Sequence, residues 1–91
     1  MHALVAGVAV QSGHEEEALE HLKTNVIPRV KEAPGVVAGF WLASQDGHGL
    51  AFIVWESEDA AQRGAEMARN APRPESVTFD SIEVREVVAQ V

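Results

Sequence analysis

The 91-residue chain contains no cysteine and no tyrosine, and it carries only seven basic side chains against fourteen acidic ones. The absence of cysteine excludes disulfides, thiolate metal sites and thiol nucleophiles. The four histidines show neither an HxH nor an HExxH spacing, so we predict no metal site. The net charge of −7, with the basic residues scattered along the chain, argues against binding of DNA or RNA.

Long apolar runs are also missing. No segment approaches the roughly 20 apolar residues that a transmembrane helix needs, so we predict no membrane association. The amino terminus lacks the basic residues and the small-residue cleavage site of a signal peptide, and we therefore expect a cytoplasmic protein. Residues 1–91 have the length of a single domain, and a core of that size is marginal without a partner subunit.

The sequence does contain an alternation of strand and helix patterns. Apolar runs rich in β-branched residues predict four strands, at residues 3–10, 36–44, 50–56 and 81–89, with 77–79 as a lead-in to the last. Helical spacing predicts a first helix that starts near Gly13 and that kinks or ends near Ile27 because of Pro28. A second helix follows Ser57. The βαββαβ order is that of a ferredoxin-like α+β fold, with two helices on one face of a four-stranded antiparallel sheet.

Local signals mark several boundaries of these elements. Ser12-Gly13-His14-Glu15 has the pattern of a capping box, in which the serine and glutamate side chains bond each other's backbone N–H groups. Asp46-Gly47 supplies the positive φ angles of a tight hairpin between the second and third strands. The second helix carries a stripe of small residues, which predicts close packing on the sheet: Ala60, Ala61, Gly64, Ala65 and Ala68.

Both faces of the predicted sheet are apolar. In the third strand Phe52 and Val54 point to one face, whereas Ile53 and Trp55 point to the other. An antiparallel sheet that meets water on one face normally alternates apolar and polar residues. Two helices cover only one face, so we predict that a second copy of the chain covers the other, as a two-fold symmetric homodimer.

The pattern resembles the dimeric α+β barrel superfamily, and within it the antibiotic-biosynthesis-monooxygenase-like domains. The resemblance covers nearly the whole chain as one domain. It rests on the element order, on Pro34-Gly35-Val36-Val37-Ala38-Gly39-Phe40 at the start of the second strand, and on Ile53-Val54-Trp55-Glu56-Ser57 at the end of the third. It implies a homodimer and a cofactor-independent monooxygenase, without flavin or metal, that acts on a small hydrophobic aromatic substrate such as a quinol or an anthrone.

A related branch of this superfamily degrades haem with an asparagine on the first strand, a tryptophan after the third strand and a histidine on the second helix. Only the tryptophan has a counterpart here, in Trp55. Gly7 lies near the asparagine position, and the second helix contains no histidine. The resemblance therefore argues against haem degradation and implies no cofactor.

The candidate catalytic residues lie on the first helix. At about 100° per residue, His14, His21 and Asn25 fall along one flank of its apolar stripe. In the fold that the resemblance implies, the pocket lies between the helices and the sheet, so this flank can face it. We expect His21 to act as the base, because imidazole exchanges protons near neutral pH, and Asn25 to orient it or to stabilise an oxyanion. The alternative is that both histidines lie in solvent, as we expect for His48 in its turn.

The predicted substrate pocket is apolar and aromatic. Its expected lining is Trp55, Trp41, Phe40, Phe52 and Leu22. The flat indole rings can stack on an aromatic substrate, or they can belong to the core instead. Two other functions stay open on this fold: a non-catalytic homodimer that binds an apolar metabolite or serves in assembly, and an isomerase or lyase.

Overall fold

A computed structural model of the chain describes residues 1–91. Its sheet consists of four strands, β1 (His2–Val10), β2 (Val36–Gln45), β3 (His48–Trp55) and β4 (Val77–Glu86). All neighbouring strands pair antiparallel, in the order β2-β3-β1-β4. The predicted ferredoxin-like α+β fold is confirmed.

The first helix is continuous but changes its winding. Its three parts are α1 (Glu15–His21), a π-helical segment (Leu22–Val26) and α2 (Ile27–Glu32). At the end of the π-helical segment the Ile27 N–H donates to the Leu22 carbonyl, five residues back. Pro28 has no N–H and crowds the preceding turn, so a regular α-helical ladder cannot pass through it. The predicted kink therefore takes the form of a widened turn.

The first helix begins slightly later than the predicted start near Gly13, and without the predicted capping box. The helix begins at Glu15, and its N-cap residue is His14, whose side chain makes no capping hydrogen bond. Gly13 has a left-handed φ of 86°, which belongs to a turn and not to a helix. The Ser12 hydroxyl makes no hydrogen bond to this helix, so the capping box does not form.

The predicted bounds of the last strand are also shifted. β4 begins at Val77 and ends at Glu86, so the lead-in belongs to the strand and the segment after Glu86 does not. The register between β1 and β4 slips between Gly7 and Val8. This irregularity places one extra residue on β4 and lets Val77 pair with Val10.

The second helix and the hairpin follow their sequence signals closely. The second helix, α3 (Glu58–Asn70), begins after Ser57, whose hydroxyl oxygen accepts a 3.1 Å hydrogen bond from the Ala60 N–H. In the hairpin, Asp46 and Gly47 have φ values of 53° and 80°, as a two-residue turn requires. The turn is shorter than predicted, because β3 already begins at His48.

The core lies between the sheet and the helices. Its buried members are Leu4, Val30, Ile53, Trp55, Ala60, Ala61 and Ala65. Of the small residues of α3, Ala60, Ala61, Gly64 and Ala65 are buried as predicted and bring this helix close to the sheet. Ala68 is only half-buried. None of the helices combines the length and the apolar character that crossing a membrane takes.

The opposite face of the sheet, which we call the open face, is uncovered within one chain and is apolar along β2 and β3, whereas β4 presents Glu83 and Arg85 on it. Its large exposed side chains are Phe40, Leu42, Leu50 and Phe52. Along β3 these alternate with buried residues, because successive side chains of a strand point to opposite faces. Along β2 and β3 the sheet thus has the two apolar faces that the sequence predicts.

Candidate functional site

A cavity of about 530 Å³ lies beneath the first helix, on the side of the sheet that faces the helices. Of its 29 lining residues 20 are hydrophobic. A volume of this size, mostly apolar with a few polar groups at the wall, is typical of sites for small molecules.

The first helix is anchored near its two ends, and its middle is only partly buried. Near the amino end the Ser76 hydroxyl donates a 2.7 Å hydrogen bond to the Glu17 carboxylate. At the carboxyl end Val30 is buried in the core. Between these anchors no residue of α1 or of the π-helical segment is buried, although Leu22 and Val26 are apolar and line the cavity. The apolar side of the helix therefore bridges the space without filling it.

The structure brings His21 and Asn25 together at the cavity wall, which both residues line. Asn25 Nδ2 lies 3.2 Å from His21 Nδ1 and 3.0 Å from the Thr24 hydroxyl oxygen. Asn25 is exposed and His21 is half-buried, so solvent reaches the pair. The adjacency predicted from helical spacing is thus present, on the side of the helix that was predicted.

Thr24 determines which groups donate in this small network. Its hydroxyl donates a 2.8 Å hydrogen bond to the Glu20 carbonyl, which can only accept. The Thr24 oxygen therefore accepts from Asn25, and the amide nitrogen of Asn25, with its second hydrogen, donates to His21 Nδ1. A neutral His21 then carries its own proton on Nε2. The imidazole of His21 therefore presents Nε2–H as a donor, and the lone pair of its Nδ1 already accepts from Asn25.

Trp41 and Trp55 both line the cavity. Trp55 is only 1% exposed and is one of the largest core side chains, so it serves the core and the cavity wall together. Its indole Nε1 is buried without a hydrogen-bond partner. An unpaired buried donor costs free energy that a ligand oxygen can recover.

Phe40 and Phe52 do not line the cavity, which contradicts their predicted place in the pocket. Phe40 is 58% exposed and Phe52 is 38% exposed, on the open face. The physical reason is strand alternation: these residues pair with each other across β2 and β3, and both point away from the helices.

The other two histidines considered on chemical grounds lie away from the cavity. His14 is exposed, with Nδ1 3.8 Å from a Glu17 carboxylate oxygen. His48 is exposed as expected, and its Nδ1 lies 2.9 Å from the Asp80 carboxylate. Neither lines the cavity.

Two residues that the sequence reasoning missed contribute to this site, one beside the wall and one in it. Thr24 orients the amide of Asn25, and Arg29 lines the cavity one turn beyond Asn25. The spacing of His21, Asn25 and Arg29 by four residues was available as a signal for Arg29. No sequence pattern predicts the role of Thr24, because that role depends on the hydrogen bond from its hydroxyl to the Glu20 carbonyl.

No protein-family model matches the chain, and no curated protein matches it in sequence. Solved structures match it over its full length. The haem-degrading protein MhuD of Mycobacterium tuberculosis, with two haems bound in its active site, is 22% identical with a TM-score of 0.76, covering 100% of this chain and 99% of MhuD. A proposed antibiotic biosynthesis monooxygenase from Deinococcus radiodurans is 19% identical with a TM-score of 0.73, covering 100% and 96%.

SnoaB, a cofactor-independent oxygenase from Streptomyces nogalater, is 18% identical with a TM-score of 0.70, covering 99% of this chain and 95% of SnoaB. The chain shares the ferredoxin-like α+β fold of these proteins. At these identities the likeness concerns the fold alone and does not extend to the chemistry of the chain.

Because MhuD binds haem, the residues that line the cavity can be compared with the ligands that a haem iron needs. A haem iron takes an axial ligand from the protein, for which a histidine needs a free nitrogen lone pair. α3 contains no histidine, and His21 is the only histidine among the lining residues. In its network His21 presents Nε2–H, and its Nδ1 lone pair accepts the hydrogen bond from Asn25. In this hydrogen-bond arrangement the lining residues offer no free histidine lone pair to a haem iron.

Proposed function

We propose that this monooxygenase-like domain oxidises a small, apolar, aromatic molecule of the quinol or anthrone type without a bound cofactor. The observation that supports the proposal most directly is the apolar cavity with His21 and Asn25 at its wall. An electron-rich aromatic molecule can bury its rings there beside Trp41. Its ionisable oxygen can meet the polar wall.

The reaction consumes only the substrate and dioxygen. Loss of a proton gives a substrate anion, and the reacting carbon of this anion donates its electrons to O₂ to form a hydroperoxide. The hydroperoxide loses water and leaves a carbonyl group, so one O₂ is consumed and one water released per CH₂ converted to C=O. The protein stabilises the anion, and hydrogen-bond donors at its oxygen are the groups that do so.

His21 serves in this proposal as a donor to the substrate oxyanion, through Nε2–H. The earlier prediction of a base at His21 needs a different arrangement, in which the amide of Asn25 turns so that its oxygen accepts from Nδ1–H. That turn would free Nε2 but would break the hydrogen bond from Asn25 to Thr24. In the donor arrangement, water at the exposed rim near Asn25 takes up the substrate proton.

An oxygen electrode tests the proposal directly. We expect the protein to increase oxygen uptake by an anthrone or a naphthohydroquinone well above the rate of autoxidation. His21→Ala should lower the catalysed rate by about 10²-fold, because a donor aimed at a developing oxyanion contributes on this scale. Oxygen uptake at the autoxidation rate for both substrate types, with the purified protein folded, would contradict the function.

Asn25→Asp separates the two arrangements of His21 in the same assay. An aspartate can only accept, so it draws the His21 proton to Nδ1 and frees the lone pair of Nε2. If His21 is a donor, this variant should lose activity like His21→Ala. A rate equal to or above that of the wild type would show that His21 is the base. Asn70→Asp is the matched control, because Asn70 is exposed at the end of α3 and does not line the cavity.

A second candidate function is binding without turnover. The engaged lone pair of His21 favours it, because a cavity without a free base suits a ligand carrier as well as an enzyme. Binding of the same aromatic molecules without oxygen uptake would support this alternative.

We also propose that the protein is a homodimer formed through the open face. The support is the exposure of Phe40, Leu42, Leu50 and Phe52 on one contiguous sheet surface, since large apolar patches on a small domain mark interfaces. Location in the cytoplasm stays a prediction from the sequence.

A further inference from the structure

A row of polar side chains follows one edge of the cavity. His21, Asn25 and Arg29 occur at intervals of four residues along the first helix, and all three line the cavity. Residues four apart on a helix are neighbours on its surface, and the contact between His21 and Asn25 shows this directly. The apolar residues Leu22 and Val26 run beside this row and also line the cavity.

The row is rich in donors and poor in acceptors. His21 presents Nε2–H in the network that Thr24 orients. Arg29 presents a guanidinium group, which only donates and stays charged. Asn25 Oδ1 is the one acceptor oxygen among these three side chains. Such an edge complements a ligand group that only accepts, above all a carboxylate.

The charge of Arg29 is not neutralised by the protein. The ion pairs of the chain involve other residues, and no carboxylate oxygen lies within 4.0 Å of the Arg29 guanidinium. Among the residues that line the cavity Glu15 is the only carboxylate, against Arg29 and Arg73. The wall therefore carries a positive balance in a chain whose net charge is −7. Attraction of an anion here has to be local, because the chain as a whole repels it.

Arg73 does not share this position. It lies in the connection between α3 and β4, with its guanidinium carbon 5.1 Å above the centre of the Phe79 ring. That connection meets the amino end of the first helix, where Ser76 bonds Glu17. Arg29 is near the other end of the same helix, next to the buried Val30. The two arginines therefore define distinct places at which an anion can bind.

We propose that the ligand of this cavity is an aromatic carboxylic acid, whose carboxylate binds the Arg29 guanidinium while its rings fill the apolar space and the His21 Nε2–H stays available to the substrate oxyanion. This deepens the proposed function by naming the substrate class, and it rests on the same cavity. An aromatic ester or hydrocarbon of equal size would fill the space but leave the donor row without an acceptor of full charge.

Isothermal titration calorimetry with matched probes tests the proposal. The probes are 2-naphthoate, its uncharged methyl ester and the cation 2-naphthylmethylammonium, titrated into the whole protein at low salt. We expect 2-naphthoate to bind about tenfold more tightly than the ester, because a charge-assisted pair at a partly exposed site contributes on this scale. The cation should bind more weakly than the ester.

Variants locate the carboxylate. Arg29→Gln should remove the preference for 2-naphthoate over its ester while leaving the ester affinity unchanged. Lys23→Gln is the matched control, since Lys23 is an exposed cation on the same helix that does not line the cavity. Loss of the preference in Arg73→Gln with full preference in Arg29→Gln would overturn the proposal, as would equal affinity of the wild type for acid and ester.

The same measurements separate this inference from the proposed function, because they involve no turnover. Arg29-dependent binding of 2-naphthoate without oxygen uptake by any quinol or anthrone would support the ligand class and contradict the oxygenase. Oxygen uptake with neutral anthrones, together with equal affinity for 2-naphthoate and its ester, would support the oxygenase and contradict the ligand class.

Discussion

Gly64 on α3 and Trp55 on β3 fit together at the closest approach between helix and sheet. A Cβ atom built at Gly64 would overlap Cζ2 of the indole and would lie 2.8 Å from Cη2. Trp55 itself is buried, with its ring enclosed by the core. Only glycine leaves room for the indole, so the identity of residue 64 and that of residue 55 depend on each other.

Gly64→Ala should lower the free energy of unfolding. Alanine is favoured over glycine in a helix by about 1 kcal/mol, but forcing a methyl group into a filled core typically costs about 1–3 kcal/mol. With direct overlap we expect a net loss of about 1–2 kcal/mol, measured by urea denaturation. The double variant Gly64→Ala/Trp55→Phe should show favourable coupling, because the smaller ring vacates the space. Additive losses would contradict this account of the contact.

At the residue scale the sequence predicted which side chains are neighbours better than it predicted which face of the sheet each side chain occupies. Helical spacing correctly placed His21 beside Asn25 and on the side of the cavity. Phe40 was placed in the pocket as an apolar aromatic side chain, although the alternation of its strand directs it to the open face. The proton position on His21 was beyond prediction, because it depends on where the Thr24 hydroxyl donates.

At the scale of elements, two serines with similar sequence signals behave differently. Ser57 has the extended backbone of an N-cap, and its hydroxyl oxygen accepts from the Ala60 N–H. Ser12 starts an S-x-x-E pattern but caps no helix, because the chain turns through a left-handed Gly13 before α1 begins. A capping box needs the helix to begin at once, and the sequence motif alone does not ensure it.

Ser57→Ala should destabilise the protein by about 1 kcal/mol, the usual cost of losing an N-cap side chain. Ser12→Ala should change the unfolding free energy by less than about 0.5 kcal/mol, as surface substitutions away from such features do. Thermal or urea unfolding of the two variants side by side provides the comparison. A loss for Ser12→Ala as large as that for Ser57→Ala would show that the capping box forms in solution.

The first helix shows what pattern reasoning can and cannot reach for an element. Pro28 predicted an irregularity near Ile27, and the winding of the continuous helix changes there. The form of this irregularity, a π-helical segment between two α-helical parts, could not be predicted, because a proline can equally kink a helix or end it. Likewise the bounds of β4 depend on the irregularity near Gly7, which only pairing with β1 reveals.

At the scale of the whole molecule, the open face predicts association. Phe40→Glu places a charge in the middle of the apolar surface, and a two-fold interface brings two such charges close together. We expect sedimentation at micromolar concentration to show twice the chain mass for the wild type and the mass of one chain for the variant.

Val88→Glu is the matched control for that experiment. Val88 is an apolar residue with 88% of its surface exposed, but it lies after β4 and outside the sheet. Its replacement should leave the dimer intact. A monomeric wild type would contradict the interface, and a Phe40→Glu variant that stays dimeric would place the interface elsewhere.

The alternation of side chains along β3 has a consequence for protein engineering. Ile53 and Trp55 belong to the interior on the helix side, whereas Phe52 and Val54 belong to the open face. A combinatorial library that varies every second codon can therefore alter ligand choice while preserving assembly, and the complementary library can redesign assembly alone. A one-residue insertion within the strand would exchange the two sets and lose both properties together.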